Sequence, residues 1–69
     1  MADSINAECL RIDAYASSKD IKKLKSLRED YIFWMKAVPD YKDEWIETIN
    51  YCDDKILEID ARYVKKELE

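Results

Sequence analysis

Pro39 is the only proline in the chain, and it stands between two long segments in which apolar residues recur with a helical repeat. Proline has no backbone N–H to donate, and it drives the preceding residue out of the α-helical region. A helix that reaches Val38 therefore ends there, and Asp40 is a suitable cap for the helix that follows. The sequence predicts an antiparallel helical hairpin closed at Val38-Pro39-Asp40, with helices over about 18–38 and 41–66.

The apolar stripes of these two segments match each other. Their residues recur at alternating intervals of three and four, as in a coiled coil. In an antiparallel hairpin, residues at one level have a nearly constant sum of residue numbers. The pairs that meet this condition are Val38 with Trp45, Trp34 with Ile49, Tyr31 with Cys52, Leu27 with Ile56, and Leu24 with Ile59. These pairs are the predicted core layers of the hairpin, and the stripe of its second helix continues to Tyr63.

A shorter segment precedes the hairpin. Ser4 is a suitable N-cap for a first helix of about a dozen residues. The apolar face of that helix carries Ile5, Cys9, Ile12 and Ala16. Ser17 and Asp20 have the spacing of a capping box, which favours a new helix start and a break before the hairpin. One continuous helix over 4–38 is the alternative.

Glycine is absent and charged residues make up 41% of the chain, a composition typical of long helices. We therefore expect a single all-α domain over residues 1–69, built as a three-helix bundle or a dimeric bundle. Histidine is also absent, and Cys9 and Cys52 lack the spacing of a zinc site. A disulfide between them stays open, but both lie on apolar stripes, where a reduced cysteine packs as a small apolar side chain. No metal or cofactor is expected.

A second, partial apolar stripe follows each helix of the predicted hairpin, and the two fall on the same side. They consist of Ile21, Ile32, Met35, Ile46, Leu57 and Val64. The first helix, which also carries Leu10, spans only about 18 Å, whereas the hairpin spans roughly 30 to 40 Å. Part of this strip is then left without cover, which predicts self-association, most simply as a homodimer.

The catalytic potential of the chain is low. Without histidine a Ser-His-Asp triad is excluded, and without glycine so is a phosphate-cradling loop. The carboxylate pairs Asp43/Glu47 and Asp54/Glu58 have helical spacing, but they fall on outward faces near lysines. We interpret them as solvated helix faces, and the chain is not expected to be an enzyme.

Charge is distributed unevenly along the chain. A basic cluster consists of Lys19, Lys22, Lys23, Lys25 and Arg28, whereas residues 29–60 hold ten acids and three lysines. The basic cluster has no exposed aromatics between its members and the net charge is −4, so direct nucleic-acid binding is not expected. The acidic stretch leaves open an alternative function, a nucleic-acid mimic that blocks a DNA- or RNA-binding enzyme.

Phe33 and Tyr51 lie off both apolar stripes and are predicted to share one level of the hairpin. The acids predicted around them are Glu29, Asp30, Glu47 and Asp54. An exposed aromatic pair inside an acidic rim is typical of an anchor for a protein partner that has basic residues around an apolar pocket. In the competing interpretation, the two rings pack in a dimer core or under the N-terminal segment.

The predicted function is therefore a small helical module that binds a protein partner of unknown identity and acts as an adaptor, an assembly subunit or an inhibitor. The residues 1–4 lack the basic and apolar regions of a signal peptide, so a cytoplasmic location is expected. The longest apolar run, 31–35, is far shorter than the roughly 20 residues that span a membrane. Leu68-Glu69 is interpreted as a cloning remnant.

Overall fold

The computed structural model describes the backbone of residues 2–65 and the side chains of residues 7–65. The helices of this part are α1 (Ala2–Ser17), α2 (Ile21–Ala37) and α3 (Lys42–Ile59), and a short 3-10 turn connects α2 to α3. All three helices pack against one another. The predicted all-α class and the predicted hairpin are confirmed, in the form of a three-helix bundle.

A tight turn separates α1 from α2. Lys19 has a φ of 56°, in the left-handed region. The N–H of Lys19 donates to the carbonyl of Ala16, and the N–H of Asp20 donates to the carbonyl of Tyr15, both at 3.0 Å. This pair of bonds in the last turn of α1 is a Schellman motif. This geometry ends α1, so the predicted break is confirmed and one continuous helix is wrong.

The cap of α2 differs from the predicted capping box. Ser17 is the last residue of α1, and Asp20 is itself the N-cap of α2. The Asp20 carboxylate accepts a hydrogen bond from the N–H of Lys23 at 3.2 Å. The capping box that began at Ser17 is therefore wrong. Ser4 and Ile5 lie within the helix, and their side chains are outside the described residues.

Pro39 stops α2 as predicted. The N–H of Val38 donates to the carbonyl of Trp34 at 2.9 Å, and Pro39–Tyr41 then forms the 3-10 turn. Asp40 lies inside this turn, and the N-cap of α3 is Tyr41, without a side-chain hydrogen bond. The prediction that Asp40 caps the third helix is therefore wrong.

The third helix ends at Ile59, earlier than the predicted end near residue 66. The Asp60 carboxylate accepts a hydrogen bond from the N–H of Arg62 at 3.1 Å, and the Asp60 carbonyl accepts one from the N–H of Tyr63 at 3.0 Å. These bonds form a turn in place of another turn of helix. The residues after the turn, up to 65, have no regular structure, and Lys66 lies outside the described residues.

The core lies where the three helices meet. Its buried apolar residues, within the described part, are Ile12, Leu24, Leu27, Tyr31, Met35, Ile49, Cys52 and Ile56. Most of the predicted core positions are thus confirmed. Val38 is only partly buried, and Trp34 is 49% exposed while its neighbour Met35 is buried. The two cysteines are free.

The register of α2 against α3 also differs from the prediction. The ring of Tyr31 stacks on the ring of Trp45, with centroids 5.5 Å apart. The thiol of Cys52 donates to the backbone carbonyl of Leu24 at 3.2 Å. The sequence predicts that Tyr31 faces Cys52. Each of these residues instead contacts a residue seven positions from its predicted partner, so the register is displaced by about two helical turns.

A buried ion pair joins α2 to α3. The Nε of Arg28 donates to Oδ1 of Asp53 at 2.6 Å, and the Asp53 side chain is only 1% exposed. The hydroxyl of Tyr63 donates to the same oxygen, also at 2.6 Å, and so fastens the C-terminal segment to the bundle. Within residues 7–65 no buried side-chain nitrogen or oxygen lacks a hydrogen-bond partner.

Two more tyrosine hydroxyls hold α1 against the other helices. Tyr31 on α2 donates to Oε1 of Glu8 at 2.8 Å, and Tyr51 on α3 donates to Oδ1 of Asp13. Each bond joins a neutral hydroxyl to a carboxylate, which is stronger than a bond between two neutral groups. They fix the position of α1 along the hairpin.

These environments keep several groups protonated. Burial and the bond to a carboxylate raise the pKa of Tyr31 and of Tyr63 above the usual value. The bond to its carboxylate partner, together with burial, raises the pKa of Tyr51 to about 12. Burial and the neighbouring Asp53 carboxylate raise the pKa of the Cys52 thiol to about 12.

Replacement of Asp53 with Asn keeps the shape of the side chain but leaves the Arg28 guanidinium buried beside a neutral amide. We expect the free energy of unfolding to fall by about 3 kcal/mol, the order of cost for removing one partner of a buried ion pair. Asp54→Asn is the matched control, because Asp54 is 61% exposed and pairs with Lys65 on the surface. Its loss should cost about 0.5 kcal/mol. Equal losses in chemical denaturation would contradict the buried pair.

The stability of the bundle should also fall as the solution becomes alkaline. The unfolded chain releases the thiol proton near pH 9.0 and phenol protons near pH 10.0, whereas the folded protein retains them to higher pH. The folded state then binds more protons, so its free energy of unfolding declines as pH rises above about 9. Urea titrations at pH 7, 9, 10 and 11 measure this decline. In the Tyr51→Phe variant it should be shallower, and an equal slope would contradict the role of Tyr51.

Candidate protein-interaction surface

Phe33 lies on the face of α2 opposite the core, with 63% of its surface exposed. Its helical position points it away from Leu24 and Tyr31, which face the core. Its ring meets the ring of Trp34 edge to face, with centroids 5.5 Å apart and planes at 81°. The two rings thus form one exposed aromatic pair near the C-terminal end of α2.

Tyr41 is a third exposed aromatic residue, and it lies in the connection between α2 and α3. It is 45% exposed, and its N–H donates to the carbonyl of Val38 at 3.3 Å. Val38 in turn bonds back to Trp34, so backbone hydrogen bonds tie the turn that carries Tyr41 to the end of α2. We call Phe33, Trp34 and Tyr41 the aromatic surface.

Exposed aromatic residues are concentrated in this region. In the part of the chain with described side chains, the other large apolar residues that are exposed are the aliphatic Leu10 and Val64. The stacked rings of Tyr31 and Trp45, which are buried and partly buried, join α2 to α3 in the same part of the chain. The aromatic surface is therefore attached to a well-packed part of the bundle.

Acidic residues surround the aromatic surface in the sequence. Between residues 29 and 47 they are Glu29, Asp30, Asp40, Asp43, Glu44 and Glu47, while the cations are Lys36 and Lys42. Glu29 lies 3.6 Å from the Arg28 guanidinium. The other five acids make no ion pair with any side chain that the structure describes. We call these five the unpaired acids.

Five acids elsewhere in the bundle make ion pairs, whereas Asp20 and Asp60 accept hydrogen bonds from backbone N–H groups. Asp13 and Glu58 both pair with Lys55, and Asp54 pairs with Lys65. Glu8 pairs with Arg11, and Asp53 with the buried Arg28. Negative charge is therefore least compensated around the aromatic surface.

The structure separates the residues that were predicted to form one site. Phe33, Glu29 and Asp30 lie together on α2. Tyr51 is partly buried against the core, with its hydroxyl on Asp13 of α1, so the expectation that it is exposed beside Phe33 is wrong. This contact with α1 agrees with the competing interpretation of the sequence, in which Tyr51 packs under the N-terminal segment.

The remaining predicted rim residues, Glu47 and Asp54, both lie on α3, about two helical turns apart. Glu47 is exposed on α3, whereas Asp54 is engaged with Lys65. Sequence reasoning missed Trp34 and Tyr41 as surface residues. The spacing of Trp34 matches the core stripe of α2. Only the burial of Met35 in the core would have indicated that Trp34 lies at the surface instead. Whether any of these residues binds a partner stays a prediction.

The strip predicted for self-association is mostly covered within the bundle. Met35 is buried, and Ile21, Ile32 and Ile46 pack against the core. Leu57 is partly buried, and Val64 is exposed. Self-association stays a prediction, but its predicted apolar area is much reduced.

Two open grooves lie away from the aromatic surface. The larger, of about 510 Å³, runs beside the C-terminal segment, and the smaller, of about 360 Å³, lies between α1 and α3. The larger is lined by Lys25, Arg28, Glu29, Asp60, Arg62, Tyr63 and Val64. Its most buried charge, Arg28, is already engaged with Asp53, so the groove does not offer a free buried cation to a ligand.

Neither the metal-binding potential nor the comparisons add a further site. Within the described residues, no group of three or more His, Cys, Asp or Glu side chains could hold a metal ion. No helix in that same part is long and apolar enough to cross a membrane. Comparison of the chain with protein-family models, curated proteins and solved structures gives no match.

Truncation of Phe33 and of Tyr51 should distinguish the exposed ring from the ring that packs on the core. Phe33→Ala should change the free energy of unfolding by less than about 0.5 kcal/mol, because its ring is exposed on the surface. Tyr51→Ala should cost about 2 kcal/mol, because it removes packing against the core and the bond to Asp13. Thermal and urea unfolding of both variants measures the difference. A large loss for Phe33→Ala would assign this residue to the core.

Proposed function

We propose that this chain is a non-enzymatic protein–protein interaction module that binds its partner through the aromatic surface. The observation that supports the proposal is the exposure of three aromatic residues, Phe33, Trp34 and Tyr41, between the end of α2 and the start of α3. Aromatic side chains are enriched in the centres of protein interfaces, where they bury a large apolar area with few rotatable bonds. Such a module acts as an adaptor, an assembly subunit or an inhibitor.

The cost of this exposure strengthens the proposal. A chain of 69 residues has few large apolar side chains with which to stabilise its core. Two of its three Phe and Trp residues, Phe33 and Trp34, nevertheless lie at the surface, while the buried core holds Tyr31 as its only aromatic residue among those described. A single exposed apolar side chain needs no explanation, but a cluster of aromatic side chains is typical of an interaction site.

The unpaired acids favour a second candidate function, a nucleic-acid mimic that blocks a DNA- or RNA-binding enzyme. A mimic needs regularly spaced negative charge and has no need of exposed rings among the acids. The aromatic surface therefore favours a general protein partner over a mimic. Competition between the chain and duplex DNA for a nucleic-acid-binding protein separates the two functions.

We further propose a cytoplasmic location and no membrane contact. The free thiols of Cys9 and Cys52 suit a reducing compartment. Homo-oligomerisation through the predicted strip is kept as a secondary proposal, because only Val64 of that strip is exposed.

A photocrosslinking amino acid placed at position 33 tests the proposed function. In a lysate of the source cells, we expect a discrete covalent product that excess unmodified protein suppresses and that excess Phe33→Ala variant does not. The matched control carries the crosslinker at position 10, because Leu10 is as exposed as Phe33 but lies on α1. The same products from both positions, or equal suppression by the variant, would refute the proposal.

A further inference from the structure

The charges next to the aromatic surface indicate the kind of partner that it accepts. Asp30 precedes Phe33 by three positions and Trp34 by four, so its carboxylate lies beside both rings on the helix surface. Asp40 is the immediate neighbour of Tyr41 in the 3-10 turn. Both carboxylates belong to the unpaired acids. Lys36 and Lys42 are equally close to the aromatic residues in the chain, but six acids outnumber these two lysines between residues 29 and 47.

Not all the unpaired acids are equally available to a partner. Asp43 and Glu44 lie in the first turn of α3, where a carboxylate stabilises the positive end of the helix dipole. Asp30 and Glu47 lie away from any helix start, and Asp40 lies in the first turn of the short 3-10 helix that precedes α3. None of these three carboxylates makes an ion pair with a described side chain, so each is open to a cation of a partner.

We infer that the partner is a protein that presents a basic amphipathic helix, with an apolar side chain flanked by Lys or Arg. The inference rests on the proposed function and specifies the chemistry of its partner. The apolar side chain packs on Phe33 and Trp34, while the flanking cations pair with Asp30 and Asp40. Charge complementarity of this kind guides association and excludes acidic partners. A helix suits the site because Phe33 lies on a convex helical face, along which a second helix packs.

A second copy of this chain is a poorer occupant. Its basic cluster, residues 19–28, contains no exposed large apolar side chain that could pack on the rings. Lys23 and Lys25 of that cluster already lie over the rings of Tyr15 and Tyr63, at 5.3 and 5.7 Å from the ring centroids. Nucleic acid is excluded as an occupant of this surface, because phosphates would be repelled by the unpaired acids.

Synthetic helical peptides test this inference on the full chain. Three fluorescent peptides of roughly 18 residues share one length, enough for five helical turns. The first has a leucine face and a lysine face, the second has glutamate in place of lysine, and the third has the composition of the first with its leucines scrambled. Fluorescence anisotropy should show the first binding at least about tenfold more tightly than the other two.

Variants of the chain locate the binding of the lysine peptide. Phe33→Ala should weaken it at least about tenfold, and the pair Asp30→Asn with Asp40→Asn about fivefold, with a weaker dependence on salt. The matched control, Asp54→Asn with Glu58→Gln, removes the same charge elsewhere and should leave the affinity unchanged. The salt dependence separates a charged contact from a purely apolar one.

Several outcomes would overturn the inference. These are equal binding of the lysine and glutamate peptides, no binding of the lysine peptide at millimolar concentration, or equal effects of the two charge variants. Light scattering of the protein alone tests a second copy as the occupant. A mass twice the monomer value of 8.3 kDa, which returns to the monomer value in the Phe33→Ala variant, would identify it. If any of these occurs while crosslinking from position 33 persists, the proposed function stands and the basic partner is wrong. Loss of that crosslinking refutes the proposed function itself.

Discussion

The buried carboxylate of Asp53 is the group on which the arrangement of the bundle depends. One of its oxygens accepts hydrogen bonds from Arg28 on α2 and from Tyr63 in the C-terminal segment, both at 2.6 Å. Loss of Arg28 would leave this charge buried without its ionic partner, at a cost of about 3 to 5 kcal/mol. The ion pair joins α2 to α3, and the hydrogen bond from Tyr63 to the same carboxylate holds the C-terminal segment against both. Tyr31 and Tyr51 do the same for α1 through Glu8 and Asp13.

These hydrogen bonds depend on direction, whereas the burial of the apolar core does not. Burial of Leu24, Ile49 and Ile56 stabilises any arrangement that removes them from water. Hydrogen bonds to carboxylates select one arrangement among the many that apolar burial alone would permit. The helices are thereby held in a position that closes the core and leaves Phe33 and Trp34 outside. A surface fixed in this way loses little conformational freedom when a partner binds, which favours affinity.

Several features of the fold could be predicted because their causes are local. Pro39 stops α2 through its own ring and missing N–H, whatever the rest of the chain does. The core role of Leu24, Leu27, Ile49 and Ile56 follows from their spacing on two helices. The early end of α3 could not be predicted, because the apolar stripe continues to Tyr63 in the sequence. Tyr63 instead reaches the core from a turn and donates its hydroxyl to Asp53, a contact between residues on different elements.

The aromatic surface likewise has one part that the sequence predicts and one part that depends on tertiary packing. Helical spacing places Phe33 on the outer face of α2, and the sequence is sufficient to predict that. Trp34 and Met35 are adjacent, and either could face the core of a two-helix hairpin. The position of a third helix decides between them, as it does for Tyr51, which is drawn to Asp13 on α1. Residue chemistry and periodicity thus determine the helices, their breaks and the chain reversal at Pro39, because these depend on neighbours in the chain. The register, the buried ion pair and the choice of exposed rings depend on all three helices together, so they emerge only once the bundle is assembled.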